Sequence, residues 1–433
     1  MERRLIFRGL GASAVALPGL AACGTGGGAD VELSDEDVTL RMTWWGSDLR
    51  HGLTQEAIEA FQKEHPNITV KTEFKDWTGY WDALATTTAA NDSPDVIQMD
   101  EQYLASYGER GTLLDLADAE EYLDTSKIDE SLMDSGKVGG TQYAVPIGAG
   151  VLTLVANADL FAQYGVELPD DSAWTWEDYA ALAAELTEKS GGAISGSGVT
   201  GGFDHGSVRY WARQNGSDLF TEGGDVALDP ALLVEQWEFF LGLMESGAVE
   251  SAAAMVESIN GGVDSGNIAT GKVAMGNAYN TMISALRNAS GADLRLLRPP
   301  LKEGGDEGLY FKPSMYWSIS SQSEHPAEAA LLIDFLVNSE AAADILKTER
   351  GIPANTAIRE RVSADLEEGD QLALDYMNSI EPGPVSPVTP NGGSNVDPMI
   401  QRYAQEVYFG EREPAEAAEA FVAELQGEID AAK

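Results

Sequence analysis

From Val38 the chain alternates: Val38, Leu40, Met42 and Trp44 fall on one parity, and Thr39, Arg41, Thr43 and Trp45 on the other. This is the period-two pattern of a strand with one buried face. In TQEAIEAFQKE the period changes, with Ile58 and Phe61 on one helical face and Ala57 beside them, until His65-Pro66 stops the run. NITVKTEF alternates again through Ile68, Val70, Thr72 and Phe74. A second helical stretch, YWDALATTTAA, and the short apolar strand DVIQMD complete a β-α-β-α-β order. That order predicts a parallel sheet with right-handed crossovers. Ligands of such sheets bind beyond the carboxyl ends of the strands. Gly46 to His51 and Asp100 to Tyr103 should therefore share one rim, with Trp77 and Tyr80 close in sequence.

Farther along, YAVPIGAGVLTLVAN is apolar and small, suited to a strand crossing between two lobes. Helices are predicted over 174–189, with Thr175 and Asp178 spaced for a capping box, and over 229–247, 327–347, 357–376 and 415–430. No repeat at a fixed period of 20 to 50 residues is evident, so a solenoid is excluded.

The 433 residues suffice for two to four domains or one large bilobed body, and 43% hydrophobic residues can build its core. The balance of 71 acidic against 27 basic residues, a formal charge of -44, repels nucleic acid and anionic lipid, so neither is an expected partner. Calcium loops of the D-x-[DN]-x-[DN]-G type are not present.

Cys23 is the one cysteine, which rules out a disulfide framework and a cysteine metal cluster. Residues 1–22 read as a signal peptide: Arg3, Arg4 and Arg8 precede an apolar stretch ending at Leu20-Ala21-Ala22-Cys23. That ending resembles a lipobox, which implies acylation of Cys23 and an extracytoplasmic, membrane-anchored protein. Arg3-Arg4-Leu5-Ile6-Phe7 also looks like a twin-arginine signal, so the export route is left open. Residues 23–37 read as a flexible tether.

Several stretches in order resemble the extracellular solute-binding proteins of bacterial ABC importers, in the carbohydrate-binding group that includes maltose-binding protein. They are TWWGSDLRH, YWDALATTTAANDSPDVIQMD, GERGTLLDL, YAVPIGAGVLTLVANADLF, AWTWEDYAALA, GKVAMGN, HPAEAALLIDFLVNSE and GIPAN. The resemblance covers essentially the whole chain after the tether. It implies an α/β, two-lobed periplasmic-binding-protein-like fold with a hinge and a ligand cleft between the lobes. Lobe 1 would hold 38–148 plus 292–340, and lobe 2 would hold 149–291 plus 341–433. The implied function is non-enzymatic: a monomer captures a mono- or oligosaccharide and delivers it to an ABC permease served by a separate ATPase. No cofactor is expected.

A sugar site needs planar hydrogen-bonding groups for hydroxyls and aromatic faces for C–H surfaces. Candidate rings are Trp45, Trp77, Tyr103, Trp211, Tyr279, Tyr316 and Trp317. Candidate edge groups are Asp48, Arg50, Asp100, Glu101, Gln102, His205, Arg209, Asn277 and Asn280, with Ser47 and His51 in the same first loop. The resemblance carries over to Ser47–His51, Asp100–Tyr103 and Asn277–Asn280. It departs at Gly148-Ala149-Gly150, near which maltose-binding protein has an acidic ligand residue. Each candidate has a plainer alternative: Asp48 and Asp100 as helix caps, Arg50 and His51 as solvated surface, and Trp45, Trp211 and Trp317 as packing.

Two nucleotide-like motifs fail on context. GSGVTG follows a helix and a loop, not a strand, and GNIATGKV has Val273 where a P-loop needs Ser or Thr. A polyamine, a metal or another small solute on the same fold is the alternative, and a secreted glycoside hydrolase the remote one. The four histidines show no metal-ligand spacing.

Overall fold

The computed structural model describes residues 31–305 and 308–433. The signal segment and Cys23 lie outside the described residues. The strands are β1 (Val38–Trp45), β2 (Ile68–Lys75), β3 (Val96–Met99), β4 (Lys137–Val138), β5 (Thr141–Gln142), β6 (Val145–Gly150), β7 (Leu152–Asn157), β8 (Met275–Tyr279), β9 (Leu294–Leu297), β10 (Lys312–Ile319) and β11 (Ile352–Pro353).

The alternating segments form the first three strands as expected, with β1 parallel to both β2 and β3. The sheet does not stay parallel. Its order is β11-β6-β10-β3-β1-β2, and β10 runs antiparallel to both β3 and β6. A second sheet, β8-β7-β9, is antiparallel throughout. The two sheets organise the two lobes, joined where the chain leaves β6 at Gly150, passes the fully buried Val151 and enters β7 at Leu152.

Strand pairing moves two expected lobe boundaries. β9 bonds to β7, so the return after residue 292 comes too early; the chain recrosses between β9 and β10. The segment after residue 340 does not pass at once into lobe 2 either, because the helix Glu340–Leu346 packs on the helix Asp48–Glu64 and β11 bonds to β6. The final crossing precedes the helix Glu368–Ser379, which packs on the helix Ile283–Ser290 of lobe 2. Gly148 has a packing reason to lack a side chain: a Cβ there would lie 2.5 Å from the Arg350 carbonyl oxygen beside β11.

The GSGVTG motif serves packing. In GSGVTG a Cβ on Gly196 would meet the Ala183 backbone at 1.9 Å, and Gly198 N donates to the Met275 carbonyl. Two predicted helices are broken in two. The segment 327–347 divides at Ser339, where the backbone is extended and the side-chain Oγ caps the next helix by accepting from Ala341 N, and 357–376 divides across 363–367.

Candidate ligand-binding cleft

The rim expected at the carboxyl ends of β1 and β3 divides into a packed half and a polar half. In the packed half Trp45 is 8% exposed, its ring 5.0 to 5.6 Å from those of Trp77, Tyr80 and Trp81, with Tyr103 stacked on Trp81 at 3.8 Å. Trp45 is thus lobe core; Trp77, 40% exposed, is the open face of that cluster. Trp44 packs on the opposite face with Ile58 and Phe61.

The loop after β1 serves the fold. Ser47 caps the helix Asp48–Glu64 by accepting from Arg50 N, Asp48 is exposed in its first turn, and Arg50 pairs with Glu349 at 2.7 Å. His51 is half-buried and packed: its ring lies 3.8 Å from Phe74 and 5.6 Å from Trp44, stacked on both.

The loop after β3 builds the polar half. Asp100 caps the helix Glu101–Glu109 through Gln102 N, which delivers Glu101 and Gln102 to the space between the lobes. There they meet His205 and Arg209, one helical turn apart on the helix His205–Gln214 of lobe 2. Glu101 Oε1 lies 3.3 Å from His205 Nε2, 3.7 Å from Arg209 Nη1 and 3.4 Å from Lys312 Nζ at the start of β10. Gln102 donates across the cleft to Asp397 Oδ2 (3.1 Å), whose carboxylate also accepts from His205 N (2.8 Å) and meets His205 Nδ1 (2.7 Å). Arg209 is held in place: Nε pairs with Asp218 and Nη1 donates to the Tyr310 hydroxyl.

Burial and charge set the protonation. Burial opposes ionisation of Glu101, but Lys312, His205 and Arg209 outweigh it and hold the carboxyl well below the usual range. Burial likewise opposes charge on His205, yet Asp397 and Glu101 raise it to about 9, so the ring is an imidazolium near neutral pH. Burial raises the Tyr279 hydroxyl and keeps it neutral. Glu101 Oε1 and His205 Nε2 are more than nine-tenths buried and, despite their closeness, form no hydrogen bond of sound geometry.

Of the remaining candidates, Tyr279 belongs to this group: it ends β8 with Lys312 Nζ 5.9 Å above its ring, and a Cβ on Gly206 would lie 2.6 Å from its hydroxyl. Asn277 is inside β8, paired with Leu154, and not in a loop after that strand. Asn280 is fully buried and staples the crossing, its Oδ1 accepting from Val151 N and its Nδ2 donating to the Ala373 carbonyl. Trp211 packs on Trp176 and Phe239. Tyr316 is fully buried against Ser135, and Trp317, 2% exposed, lies under Arg350. These four hold the structure together, as large buried aromatics and bonded amides do. Sequence reading missed Lys312, Tyr310, Asp218 and Asp397. Lys312 had a weak signal as the leading polar residue of the alternating KPSMYWSI run; the other three had none.

Similarity to known proteins agrees with this fold. The family model described as "Bacterial extracellular solute-binding protein" matches residues 47–343. The erythritol/L-threitol-binding protein of Mycolicibacterium smegmatis is 28% identical over 252 residues, 51% of this chain and 52% of its own. Among solved structures, an extracellular solute-binding protein family 1 member from Alicyclobacillus acidocaldarius is 27% identical with a TM-score of 0.73, covering 91% of this chain and 99% of its own. A periplasmic oligogalacturonide binding protein from Yersinia enterocolitica, in complex with saturated digalacturonic acid, is 26% identical with a TM-score of 0.76 over the same shares. With a model spanning more than half its length and a two-lobed α/β body, the chain belongs to the bacterial extracellular solute-binding protein family.

Proposed function

We propose that this chain captures a carbohydrate between its lobes and delivers it to an ABC permease in the membrane, without chemistry of its own. The observation that carries this reading is the buried pair Glu101 Oε1 and His205 Nε2 where the lobes meet, ion-paired but without a hydrogen bond, beside Lys312 and the Tyr279 ring. A sugar hydroxyl both donates and accepts, so with the lobes apart it can bond the Glu101 carboxylate and the His205 cation, which stand 3.3 Å apart here. The Tyr279 face offers a surface for C–H groups. A polyamine only donates, and would leave His205, Arg209 and Lys312 facing another cation. Carbohydrate also agrees with the names of the Mycolicibacterium and Yersinia proteins.

Isothermal titration against a sugar panel, with polyamines and divalent metals included, tests the reading. Saturable binding of a sugar that is recovered uncleaved is expected; tight binding of a polyamine or metal alone would overturn it, and cleavage products would point to a hydrolase. Acylation at Cys23 supplies the anchor in this scheme. A Cys23→Ala variant should leave the membrane fraction, and its retention there would contradict the anchor.

A further inference from the structure

A groove opens beside the polar cluster, one helical turn away. Along the helix Glu101–Glu109, Glu101, Ala105 and Glu109 follow at successive turns on one face, and of these Ala105 and Glu109 line the groove. Its walls are the β4–β5 turn with Lys137 to Gly140 on lobe 1 and, on lobe 2, Thr221 to Gly224 with the chain from Pro384 to Pro390. This half-open groove has a volume of about 840 Å³. That is near the upper end of the roughly 300–1,000 Å³ of small-ligand sites, more than one sugar ring needs.

The outer wall is rigid and already in place. Prolines at 382, 384, 387 and 390 restrict the backbone of this strap. Arg213 holds it by donating to the Pro384 carbonyl (2.7 Å) and to Ser386 Oγ (3.0 Å), and Ser386 donates on to Asp218 Oδ2 (2.8 Å). Asp218 also pairs with Arg209, so the strap is tied directly to the polar cluster. Its Val388 crosses to pack against the lobe 1 cluster that includes Tyr103 and Tyr107. The charge of the groove is one-sided: Lys137 is neutralised by Asp134, while Glu109 and Glu222 have no cationic partner among the described residues.

Building on the carbohydrate reading, we infer that this groove is an extension subsite for the further rings of an uncharged oligosaccharide, and that Glu109 and Glu222 select against uronic acid chains. The strap gives the extra rings a fixed wall whose ordering cost is already met in the protein. Two uncompensated carboxylates repel a polyanionic ligand over a distance comparable with the groove, at least at low salt.

The test is calorimetry on the full folded chain with glucose, xylose, arabinose and galacturonic acid, each as monomer, dimer and trimer, at low and moderate salt. A neutral trimer should bind at least roughly tenfold tighter than its own monomer and than the galacturonate trimer. In the Glu109→Lys, Glu222→Lys double variant, both at exposed positions, the ratio of galacturonate to neutral trimer affinity should rise about tenfold. Equal affinity for monomer and trimer would overturn the subsite, and wild-type preference for the galacturonate trimer would overturn its selectivity. Silence of every monomer and oligomer would overturn the carbohydrate reading itself, and the subsite with it, an outcome distinct from a length-independent affinity.

Discussion

His51 lies between the rings of Phe74 and Trp44, and its Nδ1 is buried without a hydrogen-bond partner. An unbonded buried polar atom is a cost that an apolar ring of similar shape removes. His51→Phe should therefore leave stability within about 1 kcal/mol of wild type or raise it, and leave sugar affinity unchanged. Thermal melts and titration check both, and a selective loss of affinity would return His51 to the binding site. Glu101 is the opposite case. Glu101→Ala removes the one oxygen shared by His205, Arg209 and Lys312. Uncompensated buried charge costs about 3–5 kcal/mol, and here it falls mainly on the closed form, because opening gives Lys312 and His205 access to water. A roughly hundredfold or larger loss of affinity with a smaller fall in Tm is expected from titration and melting of the same variant. Glu101 could be found in the sequence because it follows a strand that the alternation marks. Asp397 could not, because it reaches the site from a helix nearly 300 residues away by a contact that only the folded lobes create.

Among elements, those with a clear period were legible and those set by pairing were not. β1 through β3 carry alternation or a short apolar run bounded by Pro94, and the Thr175–Asp178 capping box fixed the start of its helix. β9 is four residues long and joins lobe 2 only through its bonds to β7, a long-range fact without a local signature. Helix breaks were missed for a related reason. Ser339 reads as one polar residue in an Ala- and Leu-rich run, yet its extended backbone starts a new helix. The helix His205–Gln214 carries His205 and Arg209 of the proposed site, and Gly206 in its first turn lets the Tyr279 hydroxyl approach. Gly206→Ala places a methyl 2.6 Å from that oxygen, so the helix or the ring must shift. Overpacking of this kind costs about 1–3 kcal/mol. Gly206→Ala should weaken sugar binding by up to about a hundredfold while circular dichroism remains native. An unchanged Kd would mean that the Tyr279 position does not matter to the ligand.

At the scale of the molecule, closure joins the lobes through few polar links, and one of them titrates. His205 meets Asp397 within its own lobe and Glu101 across the cleft, so only the share of its raised pKa that comes from Glu101 depends on closure. The sign follows from that share. Stabilisation of the closed form by the imidazolium is complete below the pKa of the open form, where Asp397 still faces the ring, and is lost as pH rises through about 9. Glu101 works the other way, since its depressed pKa gives stabilisation that is present above its ordinary 4.5 and lost only as strong acid protonates it. Between these limits Lys312, raised by Glu101 and Asp100 against burial, stays cationic, and Tyr279 and Tyr310, raised chiefly by burial, stay neutral. His205 is thus the cluster member that loses its charge on the alkaline side. Small-angle scattering with a saturating neutral sugar should show a compact radius of gyration from weakly acidic to neutral pH. Affinity should decline as the pH approaches 9 and beyond. His205→Asn keeps a side chain that can donate to Glu101 but cannot titrate, so its affinity should be lower at neutral pH and flat where the wild type declines. An alkaline decline of the same size in His205→Asn would place the titrating group elsewhere and remove His205 from the closure mechanism.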